Sequence, residues 1–309
     1  MPELTLLVIA DPAATYLTPL APLAGKARMI VTNDREELLR LAPQADVLLN
    51  GDFRSGALFQ ETFRHATNLR WAHSPAAGVE KVLSKEIIES PVPLTNGRGV
   101  FARPLGEWIV GAMLFFTYDM RRNLDDQRGR RWNPVTHGEL YGQTLAIIGH
   151  GAIGRAVEER ARAFGMKILT LRRGESGKLR EVLSQCDFAA VCAPLTAETR
   201  GMIGAAELAA MTPTAVIMNV GRGPVIDEKA LLRALQAKSI KGAALDVFET
   251  EPLPPDSPFW DLDNVLISPH AADFLPDLRE RALEFFVENF DRFSKGEPLE
   301  NVVDKHAGY

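Results

Sequence analysis

The chain has 309 residues, of which 46% are hydrophobic and 24% charged, and its formal net charge at pH 7 is −5. This length is sufficient for two domains that each bury a core, and the composition is ordinary for a globular protein. The acidic balance argues against nucleic-acid binding through overall charge, and the longest apolar stretch, 108–116, is too short to cross a bilayer.

Cysteine usage and the N-terminal residues bear on the compartment. The two cysteines, Cys186 and Cys192, suggest neither a disulfide framework nor a metal cluster, so no metal site is predicted. Pro2 and Glu3 precede only a short apolar strand, which is unlike a secretion signal. We therefore expect a cytoplasmic protein with no membrane or nucleic-acid partner.

The first hundred residues alternate short apolar runs with helix-forming segments, a pattern typical of α/β domains. Strands are predicted at 4–10, 46–50, 69–73 and 92–95, and helices at 35–41 and 59–66. The third strand runs into Ser-Pro-Ala-Ala-Gly at 74–78. These small residues either leave backbone amides facing a ligand, because ligands bind at strand ends in open α/β sheets, or form an ordinary turn into a helix at 79–83.

The middle of the chain contains a joint and a long apolar helix. Asn-Gly-Arg-Gly at 96–99 predicts a flexible joint, and 103–120 predicts one helix that is buried between domains or subunits. The next stretch, 121–132, is rich in arginine and would suit an anionic partner. Because Asp125 and Asp126 interrupt the arginines and the chain is acidic, a solvated surface is the preferred interpretation.

The second half begins with a glycine motif in a specific context. Gly149, Gly151 and Gly154 have G-x-G-x-x-G spacing; the strands and helix around them are predicted at 145–148, 155–164 and 166–171. The first glycine permits a tight turn, the second leaves space for a pyrophosphate, and the third allows close packing of helix on strand. A bare glycine motif also occurs in structural turns, but this order of elements predicts a dinucleotide site at the helix N-terminus.

The end of the second strand of this motif predicts which dinucleotide is bound. An NAD site has an acidic residue about 20 positions after the first glycine, but here Arg172 and Arg173 occupy that place and Glu175 follows them. Guanidinium groups pair with a 2′-phosphate, which a carboxylate repels. The sequence therefore favours NADP(H) over NAD(H), although a solvated arginine loop would give the same residues.

Three residues whose side chains could take part in catalysis each follow a predicted strand of the second half. Strands are predicted at 188–192, 215–220, 242–247 and 265–268, and helices at 179–184, 205–211, 227–236 (with Asp227 as N-cap) and 277–294. Arg222, Glu251 and His270 then lie at the carboxyl edge of the sheet. An arginine binds a carboxylate, and a histidine exchanges protons near neutral pH when an acid orients it. Taken alone, Arg222 would also suit a contact to the cofactor phosphate, Glu251 would suit a surface acid, and His270 would suit a histidine of the core.

Five motifs occur in a fixed order: GHGAIG at 149–154, APLTAET at 193–199, NVGRGPVID at 219–227, DVFETEPL at 246–253 and SPH at 268–270. On these motifs the chain resembles the D-isomer-specific 2-hydroxyacid dehydrogenase family, over nearly its whole length and most closely from 142 to 272. The resemblance implies two parallel-sheet α/β domains, Rossmann-like and flavodoxin-like, with an active-site cleft between them. The substrate domain would be 1–98 completed by 277–309, and the NADP-binding domain 99–276.

The resemblance also implies the role of each site residue. Arg222 would hold the substrate carboxylate and carbonyl oxygen, His270 would be the general acid in reduction, and Glu251 would bond to its imidazole. Asp246 and the backbone of Val220 would position the nicotinamide carboxamide. The substrate-binding residues would be Arg222 with the amide-bearing loop residues Ser74, Ala76, Ala77 and Gly78. The cofactor-binding residues would be Gly149, His150, Gly151, Ala152, Ile153, Gly154, Arg172, Arg173, Ser176, Pro194, Leu195, Thr199, Val220, Gly221, Arg222, Asp246 and His270.

The chain departs from the family pattern in three places. Arg172 replaces the common acidic residue, which favours NADP. The segment after Arg173 is short, so the adenine side is expected to be open, and Ala-Ala-Asp-Phe after His270 replaces the frequent Ala-Gly, which affects the wall beside the substrate.

The sequence thus predicts an NADPH-dependent reductase of a small 2-keto acid such as glyoxylate or hydroxypyruvate, acting as a homodimer. Two alternatives remain open: a nucleotide-sensing, corepressor-like protein without catalysis, and a dehydrogenase of another small anion such as formate or phosphite.

Overall fold

A computed structural model describes residues 4–52 and 55–308. Residues 1–3 and 309, where the predicted substrate domain begins and its C-terminal segment ends, lie outside the described residues. The chain divides into two compact units, which are 1–101 with 275–309 (the N-terminal unit) and 102–274 (the central unit). Among the helices that the structure describes, none has the length and apolar character needed to cross a membrane.

The N-terminal unit is a parallel five-stranded sheet with helices. Its strands are β1 Leu4–Ile9, β2 Ala27–Thr32, β3 Val47–Leu49, β4 Trp71–Ser74 and β5 Leu94–Asn96, and its helices are α1 Arg35–Leu41, α2 Gly56–His65, α3 Lys85–Glu89 and the C-terminal helix, α10, Leu278–Lys295. The strand order is β2-β1-β3-β4-β5, with every pair parallel. This order is flavodoxin-like, so the chain connections change side between β1 and β3.

Successive side chains of β1 point to opposite faces of the sheet, which divides the core of this unit into two layers. Leu7 belongs to the cluster beneath α1 and α2, whereas Leu6 belongs to the cluster that includes residues of α10. In the second cluster the ring of Phe286 stacks on Trp71 with centroids 5.0 Å apart. Trp71 and Phe286 are both fully buried, so the C-terminal helix covers one face of the sheet.

Two features of this unit differ from the sequence predictions. Strand β2 was not predicted; it is an edge strand whose Arg28 and Met29 are exposed, so it lacks the apolar run of a buried parallel strand. The helix predicted at 79–83 is wrong, because that segment forms turns and the helix begins at Lys85. Ser84 starts α3 there by accepting a hydrogen bond from the amide of Ile87 at 3.4 Å.

The central unit is a parallel six-stranded sheet with helices. Its strands are β6 Thr144–Ile148, β7 Lys167–Leu171, β8 Phe188–Val191, β9 Val216–Asn219, β10 Gly242–Leu245 and β11 Val265–Ile267, and its helices are α4 Ala102–Thr117, α5 Met120–Arg128, α6 Ala152–Ala163, α7 Leu179–Ser184, α8 Ala205–Ala210 and α9 Glu228–Gln236. The order is β11-β10-β9-β8-β6-β7, again parallel throughout. The prediction of two parallel-sheet α/β domains is confirmed.

The strand order places a ligand crevice in the central unit. Strand β6 pairs with β7 on one side and with β8 on the other, so the direction of the chain connections reverses at β6. In open α/β sheets ligands bind outside the carboxyl ends of strands at such a switch point. The loop that follows β6 therefore occupies the position expected for a nucleotide.

The single helix predicted at 103–120 is wrong, because α4 ends at Thr117 and α5 begins at Met120. Asp119 lies between them with φ of 47°, a left-handed conformation that an uninterrupted helix does not contain. In the arginine-rich stretch that follows, Arg121 bonds to the carbonyl of Val265 at 2.5 Å. Asp126 is 8% exposed and accepts from Nε of Arg131 at 2.7 Å, so the stretch is only partly a solvated surface.

Candidate active site

The loop after β6 has the geometry of a phosphate-binding turn. Gly149 has φ of 95°, and a Cβ there would lie 2.6 Å from the amide nitrogen of Ala193. A Cβ at Gly154 would lie 2.4 Å from the carbonyl oxygen of Gly149, so the first turn of α6 packs directly on the loop. A Cβ at Gly151 would meet no described atom within 4 Å. This glycine cradle fits a dinucleotide pyrophosphate, with Ala152 and Ile153 in the first turn of the helix.

His150, between the first two glycines, is tied to the body of α6. Its Nε2 lies 2.5 Å from Oε2 of Glu158, whose Oε1 accepts from Nη2 of Arg162 at 2.6 Å. The hydrogen bond from His150, followed by that from Arg162, lowers the pKa of the Glu158 carboxyl. The imidazole therefore braces the glycine loop against its own helix, a contact that sequence spacing did not predict.

The end of β7 carries the residues predicted to choose the cofactor. Arg172, Arg173 and Ser176 are exposed in a tight turn that leads into α7. The carboxylate of Glu175 folds back on this turn, and its Oε2 accepts the amide hydrogen of Arg172 at 2.9 Å. The turn thus brings together the predicted arginines and an acidic residue that was not assigned to the site.

The turn after β8 begins beside the glycine loop, since a Cβ at Gly149 would lie 2.6 Å from the amide nitrogen of Ala193. Thr199 Oγ1 donates to the carbonyl of Pro194 at 2.6 Å and accepts from the amide of Thr196 at 2.8 Å. Leu195, between them, packs partly buried against the core of the unit. The predicted residues Pro194, Leu195 and Thr199 therefore form one hydrogen-bonded turn beside Gly149.

Arg222 follows β9 in a turn that is held by Asn219. The side chain of Asn219 accepts from the amide of Gly221 at 3.0 Å and donates to the carbonyl of Arg222 at 3.0 Å. The next residue, Gly223, packs so tightly that a Cβ would lie 2.0 Å from the carbonyl carbon of Phe248. Asn219 was quoted in the motif but not assigned a role; it orients the turn that carries Val220, Gly221 and Arg222.

Glu251 and His270 form a direct pair within the central unit. Nδ1 of His270 lies 2.7 Å from Oε2 of Glu251, whose Oε1 accepts the amide hydrogen of Phe248 at 3.0 Å. A carboxylate only accepts hydrogen bonds, so Nδ1 carries the hydrogen and Nε2 is left as the exchangeable position. The histidine side chain is 46% exposed, which leaves part of its surface accessible to solvent or ligand.

Asp246 determines where the backbone of His270 lies. Its Oδ1 accepts from Oγ of Ser268 at 2.6 Å and from the amides of Ala271 and Ala272 at 2.9 and 3.0 Å. Its carbonyl oxygen accepts from the amide of His270 at 2.8 Å. His270 has φ of 53°, a conformation that is uncommon for residues with a side chain and that occurs more often at functional sites than elsewhere. Asp246, which is 1% exposed, therefore fixes the chain both before and after the histidine.

Asp273 is an additional acidic residue at this edge of the sheet. Burial raises the pKa of its carboxyl, as does the charge of Asp246, whereas His270 and Arg222 lower it. Asp273 lies three residues after His270 in the same loop. The departure from the family pattern after His270 was the sequence signal for it.

The predicted substrate loop belongs to the N-terminal unit. It follows the buried Ser74, and its carbonyls at Ala76 and Ala77 accept from the amide of Gly97 at 3.2 Å and from Nδ2 of Asn96 at 2.7 Å. In a planar trans peptide the N–H points opposite to the C=O. The amides of Ala77 and Gly78 therefore point away from the end of β5.

Comparison with known proteins decides the family. The family model "D-isomer specific 2-hydroxyacid dehydrogenase, NAD binding domain" matches residues 110–272. The glyoxylate reductase of Korarchaeum cryptofilum is 37% identical over 267 residues, which are 80% of each chain. This chain belongs to the D-isomer-specific 2-hydroxyacid dehydrogenase family.

Solved structures of relatives agree with this assignment. A probable 2-hydroxyacid dehydrogenase from Rhizobium etli in complex with NADP, HEPES and L(+)-tartaric acid is 26% identical with a TM-score of 0.83, and the match covers all of both chains. An NADPH-dependent glyoxylate/hydroxypyruvate reductase from Sinorhizobium meliloti in complex with NADP and sulfate is 27% identical with a TM-score of 0.80, over 99% of this chain and all of that one. As a 2-hydroxyacid dehydrogenase, the protein is an oxidoreductase that uses a nicotinamide cofactor. Within the described part of the chain, no cluster of three or more His, Cys, Asp or Glu side chains is arranged to hold a metal.

Proposed function

We propose that this 2-hydroxyacid dehydrogenase reduces a small 2-keto acid, of the size of glyoxylate or hydroxypyruvate, to the D-2-hydroxy acid with NADPH. The observation that carries the proposal is the 2.7 Å hydrogen bond between His270 and Glu251 at the carboxyl edge of a nucleotide-binding sheet. An acid-backed imidazole at this place supports general acid–base catalysis on a bound carbonyl group.

In the proposed reduction, NADPH when bound supplies the hydride that forms the new C–H bond at the carbonyl carbon. His270 donates a proton from Nε2 to the carbonyl oxygen, which becomes the hydroxyl. Glu251 keeps the ring oriented and stabilises its protonated form before the transfer. In the oxidative direction His270 accepts the same proton from the hydroxyl.

Substrate orientation is assigned to Arg222 and to the loop of the N-terminal unit. The planar guanidinium of Arg222 would bind the substrate carboxylate together with the carbonyl oxygen. The loop residues Ser74, Ala76, Ala77 and Gly78 would bind the carboxylate through backbone amides. The direction of the Ala77 and Gly78 amides, opposite to carbonyls that are already bonded, supports this role.

The cofactor preference rests on the turn after β7. Arg172 and Arg173 are exposed where an NAD enzyme has an acidic residue directly at the strand end, and Ser176 follows in the same turn. Exposed guanidinium groups favour a 2′-phosphate. The NADP in the structures of the Rhizobium etli and Sinorhizobium meliloti relatives is consistent with this preference. At the other end of the cofactor, Asp246 and the backbone of Val220 would position the carboxamide.

We also propose a homodimer in a reducing cytoplasm. In the central unit the side chains of Trp132 and Tyr141 are 96% and 72% exposed, and a second copy would cover such aromatic surface. Burial raises the pKa of both Cys186 and Cys192 to about 12, which fits thiols that stay reduced. A monomer in light scattering at micromolar concentration would contradict the dimer.

The decisive experiment is a substrate panel with both reduced cofactors. Glyoxylate, hydroxypyruvate and pyruvate are each mixed with NADPH or NADH, and loss of reduced-cofactor absorbance is followed. Turnover of at least one keto acid is expected, faster with NADPH than with NADH, with a D-configured product wherever the product is chiral. No turnover across the panel would favour the nucleotide-sensing alternative, and oxidation of formate or phosphite by NADP⁺ would favour a different small anion.

A further inference from the structure

Glu175 lies in the same turn as the two arginines that are predicted to bind the 2′-phosphate. Its Oε2 accepts the amide hydrogen of Arg172 at 2.9 Å, and its Oε1 lies 3.3 Å from Nζ of Lys178. The backbone closes around these contacts, since the amide of Glu175 donates to the carbonyl of Arg172 at 3.1 Å and the amide of Lys178 donates to the carbonyl of Glu175 at 2.8 Å. The carboxylate therefore sits at the very end of β7 although it is four residues beyond Leu171.

The hydrogen-bond donors that hold Glu175 are of the same kind as those that bind the phosphate group of a ligand. A phosphate binds backbone amides at turns together with lysine and arginine side chains. The amide of Arg172, followed by Nζ of Lys178, lowers the pKa of the Glu175 carboxyl, so the group is ionised at neutral pH. A negative charge is thus already present among the cationic groups of this turn.

We propose that Glu175 is an internal counter-anion that competes with the 2′-phosphate of NADP(H) for the amide of Arg172 and the ammonium of Lys178. The inference rests on the proposed use of NADPH and names a residue that limits it. Binding of a 2′-phosphate requires the Glu175 side chain to leave these donors. An unphosphorylated ribose imposes no such requirement, because its 2′-hydroxyl can donate a hydrogen bond to a carboxylate. Glu175 therefore lowers the affinity for NADP(H) relative to NAD(H), and it leaves NAD(H) able to bind.

The test is Glu175→Gln, which keeps the size of the side chain and removes its charge. Binding of NADP⁺ and NAD⁺ is measured by calorimetry, which requires no turnover. The Kd for NADP⁺ is expected to fall by up to about fivefold, the range of exposed charge pairs, and the Kd for NAD⁺ to stay equal or rise. The gain for NADP⁺ is expected to shrink as salt is raised from low ionic strength, because exposed charges are screened.

Glu181→Gln is the matched control. Glu181 is exposed on α7 in the same unit and carries the same charge, and its side chain is not placed in the nucleotide turn. It separates the local contact of Glu175 from a general effect of net charge, so NADP⁺ affinity should change much less. Lys178→Gln provides the opposite sign, because it removes a donor that the 2′-phosphate would gain and should weaken NADP⁺ binding.

Two results would overturn the inference. In one, Glu175→Gln leaves the Kd for NADP⁺ unchanged or raises it while NAD⁺ binding is intact. In the other, NAD⁺ binding weakens and NADP⁺ binding does not change, which would make Glu175 the ribose acceptor of an NAD enzyme. The proposed use of NADPH is tested separately on the wild-type protein. It fails if the wild type binds NAD⁺ more tightly than NADP⁺.

Discussion

The carboxylate of Glu251 is bonded at both oxygens, to Nδ1 of His270 at 2.7 Å and to the amide of Phe248 at 3.0 Å. The second bond fixes the acid independently of the ring that it orients. The ring in turn belongs to a residue whose backbone amide donates to the carbonyl of Asp246, and the amides of the next two residues, Ala271 and Ala272, donate to Oδ1 of Asp246. The pair is therefore positioned from two sides before any substrate is bound.

Replacement of His270 by glutamine should reduce kcat by roughly 10²–10⁴, because proton transfer to the carbonyl oxygen is lost. Cofactor affinity should remain close to that of the wild type, since the glycine loop and the β7 turn are unchanged. Steady-state kinetics and calorimetry measure the two quantities. His65→Gln, an exposed histidine of α2, is the control and should retain full activity. A His270 variant with wild-type kcat would refute the general-acid role.

Two neighbouring glutamates provide a sharper test of the pair. Glu251→Gln replaces an acceptor by an amide that cannot stabilise a protonated ring, so kcat should fall at least about tenfold. Glu249→Gln carries the same change two residues earlier, where the side chain is exposed and the backbone amide donates to Glu228. It should leave kcat nearly unchanged. Equal losses in both variants would show that charge in this loop, rather than the contact with His270, matters.

The glycine loop predicts two different outcomes for the same substitution. Gly154→Ala places a methyl group 2.4 Å from the carbonyl oxygen of Gly149, so it should lower the thermal stability of the protein. Gly151→Ala meets no described atom within 4 Å and should change the free energy of unfolding by less than about 1 kcal/mol. It should nevertheless weaken dinucleotide binding, on the order of tenfold or more, because the pyrophosphate requires that space. Full cofactor affinity in Gly151→Ala would exclude the loop as the phosphate site.

Acid sensitivity of the N-terminal unit is predicted from His73. Burial lowers the pKa of this fully buried imidazole from its ordinary 6.5 to about 3. Below pH 6.5 the unfolded chain takes up a proton that the folded chain does not, so stability is lost as pH falls, by about 1.4 kcal/mol per pH unit. Urea titrations at pH 7.5 and 5.0 measure the loss.

In the variant His73→Asn the loss should be smaller by about 2 kcal/mol, since 1.5 pH units of proton uptake disappear. Asparagine keeps a polar atom that can bond to Oγ1 of Thr95, which lies 2.7 Å from Nδ1 in the wild type. An equal acid slope in the two proteins would assign the pH dependence to other groups.

Local signals in the sequence were sufficient for much of the architecture. Helix α1 begins and ends as predicted, and Asp227 accepts the amide hydrogen of Ala230 at 3.0 Å as the predicted N-cap of α9. The apolar runs of the central sheet are buried on both faces, so their composition alone reveals them. Strand β2 lacked this signal because it lies at an edge.

Long-range and side-chain features were beyond the sequence. The break at Asp119 depends on a backbone conformation that composition does not encode. The return of Glu175 to the amide of Arg172 and the bond from His150 to Glu158 both depend on where a turn directs a side chain. The assignment of roles to Arg222, Glu251 and His270 stays a prediction, although the structure brings the last two into contact.

The placement of the two cysteines offers an experimental handle on motion. Cys186 precedes strand β8 and Cys192 follows it, and both thiols are buried. Because burial keeps them protonated, a thiol-labelling reagent can react only when this strand opens to solvent. The rate of labelling therefore reports how often the structure opens locally beside the nucleotide crevice. A dinucleotide that binds there should lower this rate, and no engineered cysteine is needed to measure it.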